Sequence, residues 1–241
     1  MTILRDEENR EIRDEESILE CVYRYYTELY TQPKISSVES QEQVKALTLI
    51  DHRVSKEDNL QLMEVPGVEE LRDTVKNLPL DESLGEYGLP AEVLRELWEV
   101  ISTCCLEFIQ EAWHSKQIGK YNIGAIIKLN PKNEKREDLR NLHPISLLNL
   151  AYKLVGCILE KRMKDIIPKL VDEEQIGLIY GRSITNNIVS LGLCQELAVA
   201  QREPVIFCKL DFVKGFDRVQ HSFLWATMRW MGFSPTIIEL T

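Results

Sequence analysis

The sequence predicts a helix-rich α+β fold, and three observations carry that prediction. Apolar residues recur at helical spacing over residues 16–30, 68–78, 147–167 and 221–231, while short β-branched runs occupy 121–129 and 205–210. Glycine, proline and charged clusters separate these segments. With 241 residues and a hydrophobic fraction of 44%, the chain is long enough to bury a sizeable core, as one large domain or two small ones.

Taken in order, an amphipathic helix is expected from about Glu16 to Tyr30, with Ile18, Val22, Tyr26 and Leu29 on one face. Residues 31–66, with Pro33, several serines and scattered charges, read as a poorly ordered connector holding one short helix near Ser55 to Met63. Val68 to Leu78 is predicted helical. Pro90 suits the first turn of a long helix that Gly119 is placed to end. Tyr121 to Leu129 reads as a strand, the charged stretch Asn130 to Arg140 as a turn, and Leu142 to Ile145 as its partner strand. Leu147 to Ile167 has helical periodicity with Lys161, Arg162 and Lys164 on the polar side, and Ser183 can cap a helix reaching about Arg202. A strand over 205–210 and a helix from His221 to Met231 complete the reading. Trp113, Trp225 and Trp230, with Met228 and Met231, sit at helical spacing and are read as packing residues rather than a base-stacking surface.

Composition narrows the function. No apolar run is long enough to span a bilayer, and Arg5, Asp6, Glu7 and Glu8 leave no room for a secretory apolar segment, so cytoplasmic or nuclear residence is expected. The six cysteines form no C-x-x-C pair and read as buried free thiols. The four histidines lack metal-ligand spacing, and no hydrolase triad has a local signature. Net charge is −10, but unevenly spread: residues 1–100 carry 11 basic and 24 acidic side chains, whereas Lys116 to Lys169 carries 12 basic and 5 acidic. The uneven spread removes most of the difficulty that net charge poses for phosphate contacts, the basic stretch being otherwise a set of solvated helix faces.

The most informative motif is Leu210-Asp211-Phe212-Val213-Lys214-Gly215-Phe216-Asp217. Placed after a predicted strand, the Asp211 carboxylate is positioned to bind a hard divalent cation through oxygen. Alone it reads more readily as the end of a strand before a turn, and the surrounding chain reverses that reading. Three blocks lie upstream: Ala125-Ile126-Ile127-Lys128-Leu129-Asn130-Pro131-Lys132, His143-Pro144-Ile145-Ser146-Leu147-Leu148-Asn149, and Gln175-Ile176-Gly177-Leu178-Ile179-Tyr180-Gly181-Arg182-Ser183. In this order the four blocks resemble the reverse transcriptase of a non-LTR (LINE-type) retrotransposon, where the segments read about I-I-L-I-P-K, R-P-I-S-L-L-N, Q-x-G-F-x-x-G-R-S and L-D-F-x-K-A-F-D. More weakly, residues 7–30 are similar to the segment that joins endonuclease to polymerase in such elements. Gly85-Glu86-Tyr87-Gly88-Leu89-Pro90-Ala91-Glu92 resembles a degraded P-G-x-D-G-x-P-A-E loop.

The resemblance implies the fingers and partial palm of a right-hand polymerase, with an incomplete sheet and no thumb. It divides the chain into an N-terminal helix and connector (1–66), a fingers-like region (67–203) and the start of the palm (204–241). It implies RNA template, DNA primer and deoxynucleoside triphosphates as partners, and Mg²⁺ as cofactor. Asp211 becomes a catalytic metal ligand. Phe216 becomes the aromatic floor of the nucleotide pocket, or else a packing residue under the strand-helix turn. Lys132 and His143 fall at nucleotide-binding positions, and Gln175, Gly177, Gly181 and Arg182 at template or primer positions. Lys132 is otherwise a solvated charge, and Arg182 a residue at a helix start. The paired glycines favour a shaped loop.

Departures from the pattern matter as much. His143 stands where the family has Arg, and an imidazole lacks that residue's fixed charge and bidentate fork. Leu178 replaces Phe, and Gly215 replaces Ala. The two-metal mechanism holds its ions about 4 Å apart between several carboxylates, and the sequence through Thr241 contains no Asp-Asp pair to match the family's F/Y-x-D-D hairpin. The expectation is a polymerase segment truncated before that hairpin and inactive alone, with apolar side chains exposed along one flank of the Asp211 strand. The alternative is a non-catalytic module that binds nucleic acid through its basic hairpin, or a protein through its acidic N-terminal helices.

Overall fold

Leu4–Arg5 (β1) and Glu11–Ile12 (β2) precede four helices, Glu15–Tyr30 (α1), Ser37–Thr48 (α2), Lys56–Met63 (α3) and Val68–Asn77 (α4). Ala91–Glu96 (α5), Trp98–Ser115 (α6), the strands Ala125–Pro131 (β3) and Leu142–Leu148 (β4), and Leu150–Met163 (α7) follow. Ile167–Leu170 (α8), Ile184–Gln201 (α9), His221–Trp230 (α10) and Pro235–Leu240 (α11) complete the order. This computed structural model describes residues 3–5, 10–31, 37–80, 84–119, 124–132, 134, 137–212 and 214–241. They fall into two units, one of residues 1–40, 65–158 and 239–241, the other of 41–64 and 159–238.

In the first unit, Asp14 caps α1 by accepting hydrogen bonds from the Ser17 N–H at 3.0 Å and the Ser17 hydroxyl at 2.9 Å. These bonds hold the Asp14 carboxyl below the usual carboxylate range. The α1 face carrying Ile18 and Cys21 closes a core with Leu4, Leu139 and Leu142. That core ties the start of the chain to the turn end of a seven-pair antiparallel hairpin, β3–β4, whose register runs from Ala125↔Leu148 to Pro131↔Leu142. Arg5 reinforces the tie with ion pairs to Glu11 at 2.9 Å and Glu137 at 2.8 Å.

Pro90 does initiate helix, but the expected long helix is two, broken at Leu97 and ended at Lys116 (φ 58) rather than at Gly119. Arg95 accounts for the placement of α5. Its guanidinium donates to the carbonyls of Val75 (3.1 Å), Lys76 (2.7 Å) and Leu78, satisfying the C-terminal end of α4, which helix geometry leaves without partners.

In the second unit, Ser55 caps α3 as an acceptor for the Asp58 N–H at 2.9 Å. Lys169 at 2.8 Å and Ser55 together lower the Asp58 carboxyl below its ordinary range. Arg162 donates to the carbonyls of Leu62 (3.0 Å) and Glu64 and so fixes α7 against the end of α3. Trp230 is an interface residue as its spacing predicts, with Arg53 5.1 Å above its ring and its indole N–H donating to the Ile50 carbonyl at 3.2 Å.

Three expectations need correction. Residues 37–48 form α2 where a connector was expected; Glu, Gln, Lys and Ala favour helix there although the apolar stripe is thin. Residues 203–212 contain no strand. A strand exists only where a second one accepts its hydrogen bonds, and none of the described residues pairs with this run. All six cysteines are free, as expected, yet Cys104, Cys194 and Cys208 are exposed.

No strand forms to carry the expected exposed flank, but apolar side chains are exposed along this run and in the helix before it. Helix α9 runs for 18 residues from its Ser183 cap without burying a single side chain, and Ile206, Leu210 and Phe212 are exposed beyond it. No helix among the described residues is long and apolar enough to cross a membrane.

Candidate nucleic-acid and nucleotide site

In the first unit the hairpin decides which side chains meet. β3 and β4 are β-branched and leucine-rich, and the Asn130↔His143 pairing puts His143 directly across from the residue two before Lys132. The Lys132 N–H donates to the Asn141 carbonyl at 2.7 Å, closing the ladder one step beyond the strands. Lys132 and His143 are both exposed and so reach solvent from the same end of the hairpin. Lys135 and Arg136, in the connecting basic run, lie outside the described residues.

The opposite end of the hairpin is locked by a residue to which sequence reasoning gave no role. Asn149 is buried, accepting from the Tyr87 N–H at 3.2 Å and donating to the Gly124 carbonyl at 3.3 Å. Gly85 packs so closely on it that a Cβ there would lie 2.5 Å from the Leu148 carbonyl oxygen and 2.7 Å from the Asn149 nitrogen. The signal was available: Gly85 and Asn149 both fall within quoted motif blocks, 64 positions apart, and the buried amide joins them.

In the second unit, residues 172–183 form the shaped loop that paired glycines predict. Gly181 has φ +79, and Leu178, without glycine's freedom, also sits at a left-handed φ of 62 with its side chain exposed. Arg182 organises this loop from within. Its guanidinium donates to the carbonyls of Pro168 (3.0 Å), Val171 (2.8 Å), Gln175 (2.6 Å) and Asp172, so its forked donors hold four acceptors at once. Gln175 donates to the Gly177 carbonyl at 3.1 Å, and the Lys164 ammonium lies 4.0 Å from the centre of the Tyr180 ring.

Asp211 is exposed in the irregular run 203–212, and Phe216 is 83% exposed in the turn that follows. Phe216 therefore does not pack in the core of this unit. Asp217, in the same turn, is half-buried. A Mg²⁺ ion keeps near-octahedral oxygen coordination, usually from one or two carboxylates plus substrate phosphates and water. Among the described residues no group of three or more His, Cys, Asp or Glu side chains could hold a metal. Asp211 by itself does not fit the multi-carboxylate centre that two-metal chemistry requires.

Residues 130–241 match the family described as reverse transcriptase (RNA-dependent DNA polymerase). Over 239 residues, 99% of this chain, the sequence is 25% identical to a Xenopus laevis protein named Transposon TX1 uncharacterized 149 kDa protein. The chain spans 18% of that protein's length.

Proposed function

We propose, because this chain carries a reverse transcriptase segment of the non-LTR retrotransposon type, that its 241 residues supply template, primer and nucleotide contacts to RNA-directed DNA synthesis without completing the catalytic centre. The observation that carries this reading is the hairpin register, which sets Lys132 and His143 at one exposed end beside a basic run. Cations presented there attract phosphate and release counterions from it. In this role Lys132 meets the triphosphate or backbone phosphates. His143 donates one hydrogen bond where a guanidinium would donate two.

In the second unit, Arg182 acts through the loop and not on nucleic acid. With its guanidinium on four carbonyls, it shapes the backbone of Gln175, Gly177 and Gly181 for contact with template or primer. Asp211 offers one carboxylate toward divalent metal of the Mg²⁺ type, as reverse transcriptases generally use. Phe216, exposed five positions further along the chain, offers an aromatic face to the sugar of an incoming deoxynucleotide.

The test of this reading is primer extension. Purified 241-residue chain, given a DNA primer annealed to RNA, deoxynucleoside triphosphates and Mg²⁺, is expected to yield no extended product above background. Extension that Asp211→Ala abolishes would overturn the incompleteness part of the proposal.

A further inference from the structure

Helix α1 and strand β3 leave a groove of about 820 Å³ between them in the first unit. Leu19, Val22, Tyr23 and Tyr30 line it from the helix, Ile127 and Leu129 from the strand. Leu19 is 62% exposed and Tyr23 75%, so the lining is open to solvent. Because Ile127 and Leu129 are two apart, they share one face of the hairpin. An occupant seated on that face meets the Ile127 and Leu129 side chains. A helix that presents an apolar row at i, i+3/i+4 and i+7 matches such a groove, whereas an added strand needs the edge.

Charge selects the chemistry of that helix. Glu15 lines the groove, and among the described residues no Lys or Arg does. Glu16 and Glu20 stand seven positions before the lining residues Tyr23 and Thr27 respectively, so exposed carboxylates follow the N-terminal part of that rim, ahead of Arg24 on the same row. Phosphate is repelled there and basic side chains are attracted. We infer that the α1–β3 groove is a docking site for an amphipathic helix of a protein partner whose apolar row is flanked by Lys or Arg. This inference does not depend on the nucleic-acid reading, which concerns other residues.

The probes are two fluorescein-labelled 16-residue helical peptides with the same Leu row, one flanked by Lys and one by Glu, titrated with the full chain by anisotropy. The Lys peptide is expected to bind saturably and at least tenfold more tightly than the Glu peptide. The double variant Leu19→Ser, Tyr23→Ser changes only exposed side chains and is expected to weaken the Lys peptide at least tenfold, with unchanged circular dichroism. The triple change of Glu15, Glu16 and Glu20 to Gln is expected to bring the two peptides within about threefold of each other. Failure of the Lys peptide to bind, equal binding of both, or indifference to the Leu19, Tyr23 variant would overturn the inference. So would self-association of the chain, or binding of a labelled oligouridylate, lost in that same variant, since a second copy or nucleic acid would then be the occupant.

Discussion

Gly85→Ala is expected to destabilise the first unit by about 3 kcal/mol, seen as a lower urea midpoint with an unchanged slope. The contact that causes this is with backbone. An added Cβ would stand 2.5 Å from the Leu148 oxygen, 2.6 Å from its carbonyl carbon and 2.7 Å from the Asn149 nitrogen, none of which can rotate away. Either the 84–90 loop lifts, or β4 shifts at the point where it becomes α7. Lifting the loop separates the Asn149 amide from the Tyr87 N–H and leaves a buried acceptor short of a donor, a loss of about 1–3 kcal/mol in its own right. Gly156→Ala is the contrasting substitution. Nothing lies within 4 Å of a Cβ at Gly156, which is inside α7, so alanine there is expected to stabilise by about 0.5–1 kcal/mol. Equal effects from the two substitutions would show that the Gly85 contact is not what holds the loop.

Arg182→Ala is expected to cost the second unit about 2–3 kcal/mol and to open residues 172–183 to hydrogen exchange. Four carbonyls lose their donor together, and those of Pro168 and Val171 lie in partly buried bonds at the end of α8. Arg182→Lys is expected to recover less than half of the loss, because an ammonium is a compact point donor and cannot span four acceptors as a planar fork does. The loop's geometry depends on this anchor, since Leu178 sits in a left-handed conformation that costs roughly 1 kcal/mol without glycine. Exchange rates in 172–183 that stay unchanged in Arg182→Ala would show that the loop holds itself.

Where sequence reasoning succeeded, the signals were local. The Ser183 cap, and the apolar periodicity of α1, α4 and α10, are written within a turn or two of the elements they define. The β3–β4 hairpin was legible because both strands and the charged turn between them are contiguous. The run 205–210 has strand composition and forms no strand, because pairing is a property of two segments and only one was read. Arg182 was placed in the right loop, but its direction was not legible: a fork on four carbonyls depends on where α8 ends, which residue type does not encode. Asn149 was missed for a related reason. Its partners at Tyr87 and Gly124 are 62 and 25 positions away.

The proposed contact with nucleic acid rests on the match of residues 130–241 to the reverse transcriptase family and on the basic hairpin, and it is the claim to test. The most direct measurement is the affinity of the chain for an RNA–DNA hybrid as a function of salt. Binding at 50 mM salt is expected to weaken linearly on a log–log plot as salt rises, and neutralising Lys132, Lys135 and Arg136 together is expected to reduce that slope by about 2–3 and lower affinity throughout. No binding at low salt, or a slope untouched by the triple change, would contradict the account.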